Sequence, residues 1–391
     1  MSDLLERGAA RITWIRSRMP LLAATREDFT VRRPFAGLRL GMSLHVVPKT
    51  AVLLEVLAAG GAEIVATGNH GSTQDDVVAY LRSLGMTVFG RRDDTLDEHH
   101  ANVAAVVDAR PDLVLDNGAD LVAGIVAAGT AAGVVGGTEE TTSGGIRLRG
   151  ELAGRVPFPS IVINDSPLKA IGENRHGVGQ SVVESIMRIT NLMIPGRRVV
   201  VAGYGWCGRG IAQYLRAFGG RVAVAEIDEI KAFEAALDGY RVGELADLAE
   251  WGELFITATG HQGIITDAVI DRMPSGAVLA NAGHFPWEID TEALYGRAVA
   301  VTELDAAIER IDLPDGRELV LLAGGRMVNL AGREPKGNSL EAMDLGFLLQ
   351  SLSLERVATD AASLVPGAQP VPDDLEREIA RRFVRALGAD R

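Results

Sequence analysis

The chain of 391 residues has a single cysteine, Cys207. No intramolecular disulfide can form from it, and no cysteine cluster can hold a metal. No apolar run approaches the ~20 residues that cross a bilayer, which excludes a membrane span. The first residues, MSDLLERGAARITWIRSRMP, lack the basic region, apolar core and cleavage site of a secretory signal, so the cytoplasm is the expected compartment. An excess of positive charge is also missing. With 52 acidic residues against 39 basic ones the net charge is −13, which argues against nucleic acid as a general partner. Repeats, low-complexity tracts and long linkers are absent. What is present is the composition of an ordinary globular protein, 47% apolar and 23% charged, long enough for two domains with their own cores.

Short apolar runs alternate with helical patterns along most of that length. The patterning predicts a helix over 4–17, then strands at 38–46, 63–67, 87–90, 113–115 and 160–163, with helices at 50–59, 75–84, 98–108 and 120–128 between them. Strands of four to six apolar residues between helices indicate a parallel sheet covered on both faces. A helix at 181–191 leads into a second series of strands, at 198–202, 222–225, 254–257, 277–280, 298–301 and 319–322. Helical patterns close the chain at 337–352 and 374–387.

The stretch RVVVAGYGWCGRGIAQYLRAFGGRVAVAEID, 198–228, is the most informative. Gly203, Gly205 and Gly208 follow a buried strand in G-x-G-x-x-G spacing. A helical segment at 211–218 and a second strand come next, and that strand ends in Glu226. Such glycines permit a tight turn and let backbone N–H groups approach a pyrophosphate at a helix N-terminus. Glu226 is placed to accept from ribose hydroxyls and to repel a 2′-phosphate, so the expected cofactor is NAD, not NADP. Cys207, inside this loop, reads as a packing residue. In the first series, strand ends carry His45, Asn69, Asp116-Asn117, Glu139-Glu140 and Asn164-Asp165, a polar rim where open α/β sheets bind ligands. Each alone could be a helix cap or turn residue.

Taken together, these pieces resemble S-adenosylhomocysteine hydrolases. The resemblance is carried by RMPLLAATRE (18–27), GNHGSTQDD (68–76), LDNGADL (115–121), GTEETTSG (137–144), INDSPLK (163–169), AGYGWCGRG (202–210), TATG (257–260), NAGHFPWEID (281–290) and GGRMVNL (324–330), and runs over nearly the whole chain. It implies an α/β fold of two Rossmann-like doubly wound parallel-sheet domains, the NAD domain inserted into the substrate domain. The expected boundaries are 1–179 for the substrate domain, 180–335 for the NAD domain, and 336–391 for helices that return to the first. An inserted domain on two hinges can open and close over a cleft.

The family uses NAD in a redox-neutral way. The 3′-hydroxyl of a nucleoside is oxidised to a ketone, the acidified C4′ hydrogen is removed, the group on C5′ is eliminated, and water adds before the ketone is reduced again. Lys169 matches the lysine that takes the 3′-hydroxyl proton, Glu140 the carboxylate that grips the ribose hydroxyls, and His45 the histidine near C5′; Asn174 also matches. Thr141, Thr142, Ser143, Gly203, Gly205, Trp206, Cys207, Gly208, Glu226, Thr257, Ala258, Gly283, His284 and Asn329 fall on the implied NAD site, and Asn69 and Met343 on the substrate side. No metal is implied, and the expected partners are a small nucleoside and further copies of the chain in a dimer or tetramer.

The departures cluster around the substrate. The family's LDDGGD is LDNGAD here, so a carboxylate becomes Asn117, and the aspartate after the lysine becomes Glu173. Val47 and Lys49 replace polar groups that face the base, Asn338 replaces a histidine that closes over it, Val178 replaces a hinge cysteine, and Lys231 replaces an asparagine in the cofactor site. The chain stops at ALGADR without the family's C-terminal tail, which implies a looser hold on NAD. An intact redox core with an altered substrate shell points to a divergent member acting on a nucleoside in specialised metabolism, by 5′-dehydration to a 4′,5′-unsaturated product. Plain S-adenosylhomocysteine hydrolysis is the alternative, and an NAD-sensing homologue without turnover is a third reading.

Overall fold

Runs such as Arg198–Ala202 and Leu113–Asp116 form strands because β-branched and apolar side chains suit a pleated surface covered on both faces. The computed structural model describes residues 2–283, 286–386 and 388. Along the described residues the strands are β1 (Arg39–Ser43), β2 (Glu63–Thr67), β3 (Thr87–Phe89), β4 (Leu113–Asp116), β5 (Gly136–Glu139), β6 (Pro159–Val162), β7 (Arg198–Ala202), β8 (Arg221–Ala225), β9 (Arg241–Val242), β10 (Leu254–Thr257), β11 (Ala277–Asn281), β12 (Ala300–Asp305), β13 (Ile308–Asp312), β14 (Glu318–Leu322) and β15 (Gly367–Pro370). They fall into two compact units, Met1–Ala170 with Leu340–Arg391, and Ile171–Ser339.

In the first unit the sheet order is β15-β6-β5-β4-β1-β2-β3, and its pairs are parallel. Alternate residues of one strand feed two different cores. Leu113 and Leu115 join Leu40, Met42 and Ile161 on one face, while Val114 joins Val65 and Val162 on the other. That is the doubly wound arrangement expected from continuous apolar runs. Helix Pro20–Arg32, which sequence patterning did not separate, starts at a proline, and the backbone N–H groups of Leu21 and Leu22 donate to the buried carboxylate of Asp344 (2.9 Å each).

Burial pushes the Asp344 carboxyl up to about 6, against those two donors. Its native form therefore binds a proton more readily than its unfolded form between about pH 4 and pH 6. Stability from this group is full below that window and is lost as the pH rises through it. Asp344→Asn should flatten the fall in unfolding free energy across this window by roughly 2–3 kcal/mol, read from denaturant melts at successive pH values. An unchanged slope would show that Asp344 titrates normally.

The second unit has the order β12-β13-β14-β11-β10-β7-β8-β9. From β9 to β14 this is the dinucleotide-binding order 3-2-1-4-5-6. It is not parallel throughout: β12 and β13 are antiparallel to their neighbours and form a hairpin on the edge. Only 298–301 was expected there; the hairpin strand β12 is exposed at every residue and so carries no alternation to read. Helix Trp206–Ala217 begins five residues before its apolar pattern does. Gly208 and Gly210 hide its start. A Cβ at Gly210 would lie 1.9 Å from the Arg175 carbonyl oxygen, and one at Gly208 2.0 Å from that of Gly203. Close backbone approach, not helix propensity, sets those residues.

Candidate active site

In the first unit β1 and β4 are neighbours at the point where strand order reverses, which is where such sheets bind ligands. His45 follows β1, and Asn117 follows β4 directly. The loop after β4 is tied down by two fully buried carboxylates. Asp116 accepts from the N–H groups of Asn117 and Val122 (2.9 Å each). Glu139 accepts from those of Gly118 (2.9 Å), Ala119 (3.0 Å) and Thr141 (2.8 Å), and from the Thr141 hydroxyl (2.6 Å). Burial, and then the charge of Glu139, hold the Asp116 carboxyl well above its ordinary range; burial raises Glu139 too. Their work is to fix the backbone that presents Asn117.

Asn117 Oδ1 accepts from Asn69 Nδ2 at 3.0 Å. The remaining amide function of Asn117 is therefore an N–H donor, and it has no basic lone pair to offer. Ser72 gives its only hydroxyl proton to the Asn69 carbonyl (2.7 Å), so it accepts from His45 Nδ1 at 2.8 Å. The neutral imidazole then carries its lone pair on Nε2, the nitrogen suited to proton transfer.

Lys169 and Glu140 are both buried, with Lys169 Nζ 3.8 Å from Glu140 Oε1 and 3.4 Å from Asn164 Oδ1. Lys169 does not stand at a strand end. It closes the short helix Pro167–Lys169, which follows β6 after the turn Ile163–Asp165. Val47 is the N-cap of helix Pro48–Ala59 and Lys49 its second residue, and Met343 packs on the main core of this unit. Thr141 caps helix Thr142–Arg149, its hydroxyl accepting from Gly144 N–H (2.9 Å) and lying 3.0 Å from the Ser143 hydroxyl. Thr142 is exposed.

The second unit carries the glycine loop. Gly203 has φ +97°, and a Cβ there would strike the Ala258 carbonyl oxygen at 2.7 Å, so β7 and β10 close the loop between them. Gly205 differs: a Cβ on it would meet nothing within 4 Å. It opens helix Trp206–Ala217 on its N-terminal side, the cradle that a pyrophosphate needs. Glu226, one residue past β8, accepts from the N–H groups of Tyr204 (2.6 Å), Ile227 (2.8 Å) and Asp228 (3.0 Å). Lys231 is paired with Asp228 at 3.4 Å, which offsets its charge beside the carboxylate. Arg209 stacks on Trp206, 5.0 Å from the ring centre, and Cys207 is half-buried.

Thr257 is buried and its hydroxyl donates to Asn281 (3.0 Å), a bracing contact within the sheet. Asn281 in turn accepts from Gly283 N–H (2.7 Å). His284 lies outside the described residues. Asn329 Nδ2 donates to Ser181 (3.1 Å), whose hydroxyl donates to Asn338 Oδ1 (3.1 Å); Asn329 Oδ1 is buried and makes no hydrogen bond. An open cradle at Gly205 and an orphaned acceptor at Asn329 fit a dinucleotide. Glu173 is buried beside Asn174 in the π-helical turn Ala170–Gly177.

Comparison with known proteins gives the family. Residues 174–334 match the family model "S-adenosyl-L-homocysteine hydrolase, NAD binding domain" and residues 2–134 match "S-adenosyl-L-homocysteine hydrolase". An S-inosyl-L-homocysteine hydrolase of Methanopyrus kandleri is 42% identical, covering 99% of this chain and 92% of that protein. An adenosylhomocysteinase of Archaeoglobus fulgidus is 43% identical over 98% and 95%. The chain belongs to the S-adenosylhomocysteine hydrolase family. Among solved structures, a dipicolinate synthase chain from Bacillus halodurans covers 83% of this protein, and 99% of its own length is matched, with a TM-score of 0.50 at 13% identity, a likeness of fold alone.

As a member of this family the protein is an NAD-dependent enzyme. No helix of the described residues is long and apolar enough to cross a membrane. Sequence reasoning missed three groups that the structure makes important, Ser72, Glu288 and Gln350, and placed Asp116 and Glu139 in the polar rim without their bracing role. Ser72 sits in GNHGSTQDD and Glu288 in NAGHFPWEID, so a signal existed for both. Glu288, fully buried, accepts from the Thr259 N–H and hydroxyl (2.9 Å each) and from Gly260 N–H (2.8 Å) and holds the loop after β10.

Proposed function

We propose that this enzyme removes water from C5′ of a nucleoside to give a 4′,5′-unsaturated product. The observation that carries the reading is the orientation of Asn117, whose Oδ1 is taken by Asn69, so that an N–H donor stands where the family has a carboxylate. Adding water to the alkene requires a base to deprotonate that water. Losing water requires a donor to the departing oxygen. An amide can hydrogen-bond to the departing oxygen but can take no proton from water.

Bound NAD⁺ supplies a hydride acceptor for C3′ and returns the hydride at the end, so the net reaction is redox-neutral. Gly203, Gly205 and Gly208 would take its pyrophosphate, Glu226 its ribose hydroxyls, and Asn329 a polar group through Oδ1. Glu140 accepts from the substrate's ribose hydroxyls. Lys169 takes the 3′-hydroxyl proton. With C3′ as a ketone, the C4′ proton is lost to a base, the C4′=C5′ bond forms, and the C5′–O bond breaks. His45, in its imidazolium form, gives the Nε2 proton to that oxygen while Asn117 N–H hydrogen-bonds to it, so that it leaves as water. Thr141, Thr142, Ser143, Glu173, Asn174, Val47, Lys49, Asn338 and Met343 complete the cofactor and substrate contacts in this reading. The test is a panel of nucleosides incubated with NAD-loaded protein. A mass loss of ~18 Da, one water, is expected from a nucleoside with a free 5′-hydroxyl. Homocysteine release from S-adenosylhomocysteine as the dominant activity would overturn it.

The names of the relatives favour a second reading, hydrolysis of an S-nucleosyl-homocysteine with adenine or hypoxanthine as base. Cofactor choice is common to both. Glu226→Ala should lower NAD affinity by about tenfold or more and narrow the preference over NADP, because a carboxylate that repels a 2′-phosphate is gone. The melting temperature with each dinucleotide reports it. A larger shift with NADP than with NAD in the unaltered protein would overturn the assignment of Glu226.

A further inference from the structure

Glu140 is held on both oxygens. Oε1 faces Lys169 Nζ at 3.8 Å, and Oε2 accepts a hydrogen bond from Gln350 Nε2. Gln350 is 210 residues away in sequence, on helix Leu340–Asp360, which packs against both β5 and the short helix that ends in Lys169. β5 ends one residue before Glu140. One helix thus reaches both members of the pair.

Gln350 is fully buried, and its neighbours Phe347, Leu348, Leu349 and Leu352 belong to the main core of the unit. Leucine or methionine is what packing alone would select there. The amide instead carries a cost, because Oε1 is buried and makes no hydrogen bond, about 1–3 kcal/mol for such a group. The offsetting gain is on the donor side, where a hydrogen bond to an ionised carboxylate is roughly twice as strong as one to a neutral group. The amide also selects a charge state. Nε2 can only donate, so this orientation favours the carboxylate; a protonated Glu140 would offer its own proton and match Oε1 with the amide turned over.

We propose that Gln350 is a positioning residue of this site, whose buried Nε2–H keeps Glu140 ionised and turned so that Oε1 faces Lys169. It touches neither substrate nor cofactor and acts through Glu140. Without it Oε2 loses a charge-assisted donor, the protonated form of Glu140 is favoured more than before, and Lys169 faces less negative charge. The inference rests on the function proposed above only for what the pair then does to a nucleoside.

The test exploits the scarcity of lysine. The chain has four, Lys49, Lys169, Lys231 and Lys336, so carbon-13 labelling at the lysine ε-position gives four signals, with that of Lys169 identified by its loss in Lys169→Met. Gln350→Met keeps the volume and removes the donor. The titration midpoint of Lys169 should then fall by about one pH unit, the lower end of what loss of a facing charge produces. Glu140→Gln should lower it at least as far, and the double variant no further. With a nucleoside that reduces the bound NAD, kcat should drop by about tenfold with KM changed by less than about threefold, and the acid limb of the pH profile should move downward with the Lys169 midpoint.

A midpoint within about 0.2 of the wild-type value in Gln350→Met overturns the proposal. Gln350→Leu serves if the methionine variant does not fold. One measurement needs no change at Gln350: its side-chain N–H signals should stand downfield in the wild type and move upfield in Glu140→Gln, and unmoved signals also overturn it. A shifted Lys169 midpoint in a protein that oxidises no nucleoside would leave this inference standing and remove the proposed function. Nucleoside turnover that is indifferent to Gln350 would do the reverse.

Discussion

Lys169→Met is expected to abolish reduction of bound NAD by a nucleoside, by about 10³-fold or more, while the protein stays folded. The magnitude is that of a lost general base. The 3′-hydroxyl proton has to leave as the hydride leaves, and Lys169 is the buried amine assigned to that step, 3.8 Å from Glu140. Methionine nearly conserves the volume, so the core around it should survive. The cost in stability comes from Glu140, which keeps its bond from Gln350 but loses the cation that faces it. The measurement is the NADH absorbance formed in a single turnover, with the melting temperature as the control for folding. Reduction at the wild-type rate would show that another group takes the proton, and would move Lys169 from the chemistry to the scaffold.

The parts of this fold that were legible in the sequence are those held by apolar burial. β1, β2, β4 and β7 are continuous runs buried on both faces, and such runs announce themselves. β5 did not. Its residues are Gly136, Gly137, Thr138 and Glu139, because the backbone there passes too close to its neighbours for side chains. A Cβ at Gly137 would meet the Val114 carbonyl oxygen at 2.5 Å, and one at Gly136 would meet that of Pro159 at 2.7 Å. A strand chosen by close approach has no apolar pattern. β15, read as neither strand nor helix, is an edge strand with the sequence GAQP. Helix Pro20–Arg32 has charges and apolar residues so evenly spread that only its starting proline marks it.

The cofactor loop was legible for a related reason. Three glycines at fixed spacing and an acid past the next strand encode backbone geometry directly in residue identity. The substrate side was legible only as a set of single residues. What links them is not local: Asn69 reaches Asn117 across 48 positions and Gln350 reaches Glu140 across 210. No periodicity or spacing rule carries such pairs. The same holds for Asp116 and Glu139, two acids whose interest lies in burial and in the N–H groups they collect, neither of which composition reveals.

Asn117→Asp is the substitution that should change the outcome of the reaction as well as its rate. The two side chains have the same shape, and Asn69 Nδ2 can donate to an aspartate oxygen as it does to the amide, at the same 3.0 Å. The second oxygen would then stand where the amide donor stood. In the unaltered enzyme the departing oxygen receives a hydrogen bond from that donor, and no carboxylate at this position can deprotonate a water that might return. With aspartate there, the donor is gone and a base is present. Dehydration should slow by about 10²-fold, the worth of one well-placed donor. At the same time the variant should place oxygen from labelled water into the 5′-hydroxyl of recovered substrate, because addition to the alkene has become possible. The wild type should release its unsaturated product with little such exchange. The readout is mass spectrometry of nucleoside recovered from oxygen-18 water. Rapid exchange in the wild type, matched by none gained in Asn117→Asp, would show that a different base activates water in this site, and that hydrolysis, not dehydration, is the reaction the site was built for.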